Sequence, residues 1–260
     1  MASSIIGGLV ESGHPADCIH AADPFPESLE KLSAVASVKT FDNNAAAVAG
    51  ADVVILAVKP QVMAEAVQGI ADEVARSEPV VISIAAGITV ASLQDRLGDD
   101  TAVVRCMPNT PALLGCGASG LYATDNTSVT QRGYAQSIRG AVGTTSWVER
   151  EGELDAITAL SGSGPAYFFL FMESMIDAGV SLGLTREVAT ELCLQTGLGA
   201  ARMALENDVD LVELRRRVTS PGGTTERAVA RFEQDGLRDL VAGAMQDASD
   251  RAEEMAREMG

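Results

Sequence analysis

The sequence predicts an α/β domain built on a parallel sheet over residues 1–150, followed by an all-α domain over residues 151–260. Two observations support this division. Short apolar runs alternate with helical segments up to about Arg150, and only helical segments follow. Such alternation is typical of a parallel sheet covered by helices on both faces. The length of 260 residues also suits two domains of ordinary size.

The first half opens with a predicted helix, Ala2–Ser12, which Gly13 closes. A short apolar strand, Cys18–Ala22, then ends at the turn Asp23-Pro24, and Pro26–Ala36 has helical spacing. Later apolar runs of strand length are separated by further helical segments. The predicted strands are Asp52–Lys59, Pro79–Gly87, Ala102–Met107, Gly120–Thr124 and Ser146–Glu149, and the predicted helices are Val62–Arg76, Ser92–Leu97 and Thr130–Val142.

The second half contains five predicted helices. The first is almost wholly apolar, and Thr185 is a candidate N-cap for the second. Their predicted bounds are Pro165–Leu182, Thr185 to about Asn207, Val209–Arg217, Thr224–Gln234 and Leu237–Glu258.

The start of the chain differs from a complete dinucleotide-binding domain. The opening helix leads to a strand, as in a βαβ unit, but no strand precedes that helix. In a Rossmann-like fold the first strand and its G-x-G turn place the pyrophosphate on the helix N-terminus, and Gly7-Gly8 lies too far inside the helix to replace them. We therefore expect a Rossmann-like domain without its first strand. A start site placed too late, a shortened sequence, or a protein that functions without this strand would each explain it.

Composition excludes several classes of function. The net charge of −17 argues against nucleic acid and anionic membranes as partners, because both require a basic surface. The four cysteines form no C-x-x-C pair, so we expect buried free thiols in a reducing cytoplasm, with no zinc and no disulfides. No apolar run reaches about 18 residues, and the N-terminus lacks the pattern of a signal peptide. We expect a cytoplasmic protein.

Three predicted strand ends are candidates for contact with a dinucleotide, which binds beyond the carboxyl ends of parallel strands. Asp23 is placed to meet the adenosine ribose, where an acid favours a free 2′-hydroxyl, or it only begins a turn. Lys59 either faces the phosphates or nicotinamide ribose, or is a solvated strand end. The small residues Ala85–Gly87 either let a ring approach the backbone or form a tight turn.

The distribution of bases favours reduction of a C=N bond. His14 and His20 are the histidines, and the last lysine is Lys59, so the helical half has neither residue type. Oxidation of an alcohol usually requires such a general base. A ring imine takes up a proton readily, and a hydroxyl donor then suffices for its reduction. The sequence therefore favours a small imine as substrate.

Two glycine-rich segments precede helices in the second half. They are S-G-S-G-P-A-Y (Ser161–Tyr167) and T-S-P-G-G-T-T (Thr219–Thr225). Each offers backbone N–H groups and hydroxyls at a helix N-terminus, which suits a carboxylate or a phosphate. Ordinary helix capping is the alternative, but two such loops beside a nucleotide fold favour a binding function.

These segments, with A-V-K-P (Ala57–Pro60), S-I-A-A-G (Ser83–Gly87) and R-C-M-P-N-T-P (Arg105–Pro111), resemble pyrroline-5-carboxylate reductase. The resemblance runs from Met1 to about Met259, and Met1-Ala2 matches the end of the family's G-x-G-N-M-A motif. It implies hydride transfer from NAD(P)H to 1-pyrroline-5-carboxylate, which gives L-proline in the last step of proline synthesis. The family generally prefers NADPH, whereas Asp23 leaves NADH possible.

The resemblance also implies roles for individual residues. Thr158 would be the proton donor near the ring nitrogen and also contact the substrate, and the Ser161–Gly164 loop would bring the nicotinamide against it. The helical half would form a dimer, often within a ring of dimers. The predicted substrate-binding residues are Thr158, Ser220, Gly223, Thr224 and Thr225, and the predicted cofactor-binding residues are Asp23, Asn44, Ala57, Val58, Lys59, Pro60, Ala85, Ala86, Gly87, Ser161 and Gly162.

Two rival functions are weaker. A β-hydroxyacid dehydrogenase requires a lysine in or near the helical domain, which this sequence lacks. A catalytically impaired nucleotide-binding or scaffold protein is suggested only by the expected absence of the first strand.

Overall fold

The computed structural model describes residues 1–260. Contacts within the chain define two compact units. Unit 1 contains Met1–Ser163 and Asp247–Gly260, and unit 2 contains Gly164–Gln246. The last helix of the chain therefore contributes to both units. The domain boundary expected near Arg150 stays a prediction.

Unit 1 contains all seven strands, in two sheets. The smaller sheet pairs β1 with β2 in parallel. The larger sheet has the order β3-β4-β5-β6-β7, and only the β5–β6 pair is antiparallel. The strands are β1 (His20–Ala22), β2 (Lys39–Phe41), β3 (Val53–Leu56), β4 (Val80–Ser83), β5 (Val103–Met107), β6 (Gly117–Ala123) and β7 (Gly143–Trp147).

The predicted α/β class is confirmed, and the larger sheet is parallel except where β6 pairs with β5. Residues 108–116 connect β5 to β6 and hold only a short 3-10 helix, Thr110–Leu114. A parallel connection needs roughly a dozen or more residues to cross over the sheet, so this short connection reverses the chain.

Eight helices lie wholly within unit 1, and four lie wholly within unit 2. The segment predicted as one helix over Val62–Arg76 is two helices separated at Gly69-Ile70. The helices are α1 (Ala2–Glu11), α2 (Pro26–Ser33), α3 (Asn44–Val48), α4 (Met63–Gln68), α5 (Ala71–Ser77), α6 (Val90–Leu97), α7 (Val129–Gly140), α8 (Glu153–Ile157), α9 (Gly164–Ser181), α10 (Arg186–Leu205), α11 (Leu211–Arg217), α12 (Thr224–Gln234) and α13 (Leu237–Met259).

Both faces of the larger sheet are buried. On one face Val81 and Val103 pack among residues of α4 and α6, and on the other Ile82 and Leu121 pack among residues that include Ala135 of α7. Full burial of a side chain of this size contributes about 1.5–3 kcal/mol. In the edge strand β7, by contrast, Thr144 and Ser146 are exposed.

Unit 2 is helical, and α9 packs on α10. Met172 of α9 lies against Gly197 of α10, where an added Cβ would come within 2.7 Å of its methyl carbon. Thr185 caps α10, as predicted, by accepting a hydrogen bond from the N–H of Val188. No helix of the chain combines the length and apolar character needed to cross a bilayer.

The four cysteines are free, and Cys106 and Cys193 are buried. The expectation of buried thiols is wrong for Cys18 and Cys116, which are exposed. Cys18 ends a 3-10 helix instead of entering β1, and Cys116 lies in the connection before β6.

Candidate active site

The parallel strands β3, β4 and β5 end at the same edge of the larger sheet. Residues Ala57–Pro60 follow β3 at this edge. Ala57 and Lys59 are exposed, whereas Val58 and Pro60 are half-buried. Lys59 forms no ion pair within the chain, so its ammonium group is available to an anionic ligand.

The turn after β4 contains Ala85, Ala86 and Gly87. Gly87 has a φ of +76°, and an added Cβ would lie 2.7 Å from Cε of Met259 and 3.1 Å from the carbonyl oxygen of Met255. Glycine is required here by the backbone conformation and by the close approach of the end of α13. Ala85 is also buried, which leaves half-buried Ala86 as the most open residue of the turn.

Asp23 and Asn44 adjoin the smaller sheet. Oδ1 of Asp23 accepts a 2.8 Å hydrogen bond from the N–H of Phe25, so the carboxylate takes part in a turn. Asn44 is the exposed first residue of α3, and Asn43 provides the cap by accepting from the N–H of Ala46. The turn expected at Asp23 is present, and a ribose contact stays a prediction.

The predicted loop at Ser161–Gly164 is wrong, because Ser163 alone separates a π-helical turn from α9. A π-helical turn, Thr158–Gly162, joins α8 to α9, and the N–H of Ser163 donates to the carbonyl of Thr158 at 2.8 Å. The hydroxyl of Thr158 donates to the carbonyl of Leu154 at 2.7 Å, and that of Ser161 donates to the carbonyl of Ile157 at 3.1 Å. These hydroxyls therefore bond to the preceding turn and do not cap a new helix.

Residues near the end of β5 position this turn. Asn109 is buried, donates from Nδ2 to the carbonyl of Ser161 at 3.1 Å, and accepts from the N–H of Ala118 at 2.9 Å. Met107 lies against Gly162. Gly120 of β6 lets α8 approach closely, since an added Cβ there would overlap Ile157. Thr158, Ser161 and Gly162 are thus brought to the edge where β5 ends.

Sequence reasoning did not assign a role to Asn109, although it lies in the quoted R-C-M-P-N-T-P motif. Its position shortly after a buried strand could have indicated this role, because an amide side chain there can hydrogen-bond to two backbone groups at once.

The Ser220–Thr225 segment lies in unit 2, between α11 and α12. The side chains of Ser220, Thr224 and Thr225 are exposed, and their hydroxyls make no hydrogen bond within the chain. Helix α12 begins at Thr224, as predicted. The N–H of Gly223 donates to the carbonyl of Ser220 at 3.0 Å. The free hydroxyls at a helix N-terminus suit an anion.

The arginines before this segment are already paired. Arg216 and Arg217 donate to Glu213, and these hydrogen bonds lower the pKa of that carboxyl to about 2. Arg215 pairs with Glu233. An anion at Ser220–Thr225 therefore depends on hydroxyls and backbone N–H groups rather than on these cations.

Known proteins share this arrangement over the whole chain. Residues 151–255 match the family described as pyrroline-5-carboxylate reductase dimerisation, and residues 1–87 match the family described as NADP oxidoreductase, coenzyme F420-dependent. Pyrroline-5-carboxylate reductase from Pseudomonas aeruginosa is 52% identical over 260 residues, covering 100% of this chain and 95% of the relative. This chain belongs to the pyrroline-5-carboxylate reductase family.

Solved structures of reductases in this family have the same fold. The enzyme from Coxiella burnetii matches with a TM-score of 0.95 and 41% identity, covering 98% of this chain and 94% of that chain. The enzyme from Plasmodium falciparum, solved with NADP bound, matches with a TM-score of 0.84 and 28% identity, covering 98% and 94%. The predicted combination of a Rossmann-like domain and a helical dimerisation domain is confirmed, as is use of a nicotinamide cofactor.

Proposed function

We propose that this chain reduces 1-pyrroline-5-carboxylate to L-proline with NAD(P)H. The full-length identity of 52% to a reductase of that name is the observation that carries the proposal. The cofactor supplies a hydride to the electrophilic ring carbon when it is bound. None of the comparisons favours a nucleotide-binding or scaffold protein without catalysis.

The residues at the strand ends suit a dinucleotide. Lys59 is an exposed cation without a partner and would neutralise phosphate charge, and small Ala57 and Ala86 leave room beside the backbone. Asp23 keeps one carboxylate oxygen outside its turn bond, which favours a 2′-hydroxyl and keeps NADH possible beside NADPH. The full proposed set is Asp23, Asn44, Ala57, Val58, Lys59, Pro60, Ala85, Ala86, Gly87, Ser161 and Gly162.

The substrate carboxylate would be held in unit 2. Ser220, Thr224 and Thr225 offer unbonded hydroxyls, and Gly223 lets the backbone come close at the start of α12. Charge-assisted hydrogen bonds to a carboxylate are about twice as strong as neutral ones, so a few of them suffice without a cation.

Thr158 is proposed as the proton donor to the ring nitrogen. Its hydroxyl proton now points to the carbonyl of Leu154, so donation requires the O–H bond to turn about Cβ–Oγ1 away from that oxygen. Thr158→Val removes the hydroxyl and keeps the shape, and it should lower kcat by about 10²-fold or more if proton donation limits the rate. Thr158→Ser should restore most of the activity. An unchanged kcat in Thr158→Val would contradict the role.

The reaction is tested by following the absorbance of reduced nicotinamide. We expect purified protein to oxidise NADPH only after 1-pyrroline-5-carboxylate is added, with formation of L-proline measured by chromatography. If adding the substrate causes no loss of absorbance with NADPH or with NADH, the proposed reaction is overturned.

Self-association is supported by the dimerisation-family match, and we propose that α9 and α10 form the contact. On α9, Phe168, Phe169 and Leu170 are each about two-thirds exposed (67%, 66% and 65%). Apolar patches of this kind usually mark an interface. Light scattering should give at least a dimer, with a ring of dimers as the larger assembly, and Phe169→Glu should dissociate it. A monomeric wild type would contradict this contact.

We propose that the reaction takes place in the cytoplasm, where thiols stay reduced, because the four cysteines are free. Fractionation of the native host cells with an antibody against the chain tests this location.

A further inference from the structure

A largely buried ion pair joins β5 to the segment before α8. Nη1 of Arg105 lies 2.7 Å from Oε1 of Glu151, and the two side chains are 10% and 28% exposed. Arg105 is next to Ser83 in the β4–β5 register, just before both strands end. The pair is therefore beside the strand edge proposed to bind the cofactor.

The same carboxylate oxygen holds a second segment. Oε1 of Glu151 also accepts a 2.8 Å hydrogen bond from the backbone N–H of Val90. Val90 is the first residue of α6 and follows Gly87 by one short turn. One oxygen thus receives donors from β5 and from the first residue of α6, the helix that follows the Ala85–Gly87 turn.

Glu151 itself precedes α8, which runs into the π-helical turn containing Thr158. The carboxylate consequently links the start of α6, which follows the proposed cofactor turn, to the segment that leads to the proposed proton donor. Asn109 makes the second connection from the end of β5, through the carbonyl of Ser161. Reaction rates are sensitive to the distance between such groups, and a displacement of about 1 Å can cost about 10²-fold.

We propose that Glu151 is a positioning residue for the reduction, and that Arg105 fixes its carboxylate. The proposal rests on the proposed function. Glu151 acts through Val90 on the Ala85–Gly87 turn and through α8 on Thr158. A purely structural pair would affect stability alone, whereas a positioning pair also changes kinetic constants for the cofactor and the rate of reduction.

The decisive variant is Glu151→Gln. It keeps an oxygen able to accept from Val90 and removes the charge that holds Arg105, so the chain should fold. We expect kcat/KM for NADPH to fall about 10-fold, because a neutral amide oxygen attracts the guanidinium of Arg105 much less than a carboxylate does. Glu151→Ala also removes the acceptor for the N–H of Val90, so its kcat/KM for NADPH should fall further.

Glu153→Gln is the matched control. Glu153 is in the same segment, accepts the backbone N–H groups of Glu149 and Arg150, and pairs with Arg150, whose side chain is 81% exposed. This variant should have wild-type kinetics. Thermal melting of all variants by circular dichroism separates loss of fold from loss of position.

If Glu151→Gln has the wild-type kcat/KM for NADPH, the inference is overturned, even if Glu151→Ala is impaired. Equal losses in Glu151→Gln and Glu153→Gln would overturn it too. Failure of the wild-type chain to reduce 1-pyrroline-5-carboxylate would instead reject the proposed function. In that case the affinity of the Glu151 variants for NADPH can still be measured directly, by titrating NADPH and following the fluorescence of Trp147.

Discussion

The backbone N–H of Gly222 donates a 2.7 Å hydrogen bond to Oε2 of Glu226. A carboxylate of the chain thus occupies one donor of the segment proposed to hold the substrate carboxylate. A carboxylate that binds close to another carboxylate binds more weakly, because the Coulomb repulsion between the two raises the energy of the bound state.

Glu226→Gln should therefore lower the KM for 1-pyrroline-5-carboxylate by about 2- to 10-fold, since it removes the charge and keeps an acceptor for Gly222. Initial rates over a range of substrate concentrations measure the change. Glu191→Gln removes the same charge from an exposed position of α10 and should leave KM unaltered. A higher KM in Glu226→Gln would show that the negative charge helps to shape the segment.

Thr225→Ala should raise the KM for 1-pyrroline-5-carboxylate by one to two orders of magnitude. Losing a hydrogen bond to a charged group costs about 1.5–3 kcal/mol. Thr130→Ala is a matched control, because Thr130 is the exposed second residue of α7 just as Thr225 is of α12. An unchanged KM would remove Thr225 from the carboxylate site.

The cysteines should differ sharply in reactivity. Burial raises the pKa of Cys106 to about 11, and this outweighs the nearby Arg139 and the hydrogen bond with Ser119, which lower it. Its thiolate fraction near neutral pH is then about 10⁻³ or less, and the thiolate is the reactive form. Iodoacetamide followed by peptide mass spectrometry should label exposed Cys18 and Cys116 first, and Cys106 only after unfolding. Early labelling of Cys106 would contradict its burial.

Asp155 makes stability depend on pH. Partial burial raises the pKa of its carboxyl, Arg105 opposes this rise, and Glu253 and Glu151 add to it. A raised acid pKa contributes stability below the unfolded-state value of about 3.9, and that contribution is lost as pH rises through the folded-state pKa. Asp155→Asn should therefore raise Tm at neutral pH, with the gain vanishing in acid. Asp95→Asn on α6 is the control, and a gain independent of pH would contradict the assignment.

The sequence was sufficient for features that depend on neighbouring residues. Alternating apolar runs predicted the α/β class, and helical spacing predicted α9 to α13 closely, including the start of α12 at Thr224. The strand β2 and the helix α3 escaped prediction, because each is short and β2 is largely exposed. The motifs at Ser161–Tyr167 and Arg217–Thr225 were enough to indicate the family.

Only the tertiary structure decided how the candidate site is held together. Arg105 and Glu151 are 46 positions apart in the chain, and Asn109 and Ser161 are 52 apart. The same holds for Gly87, whose closest neighbours come from the end of α13. Sequence spacing reports which residues share a helix face or a strand face, whereas contacts between distant segments depend on how the elements pack. For that reason the sequence by itself determined which residue types are proposed to bind and react, and the fold determined which of them meet.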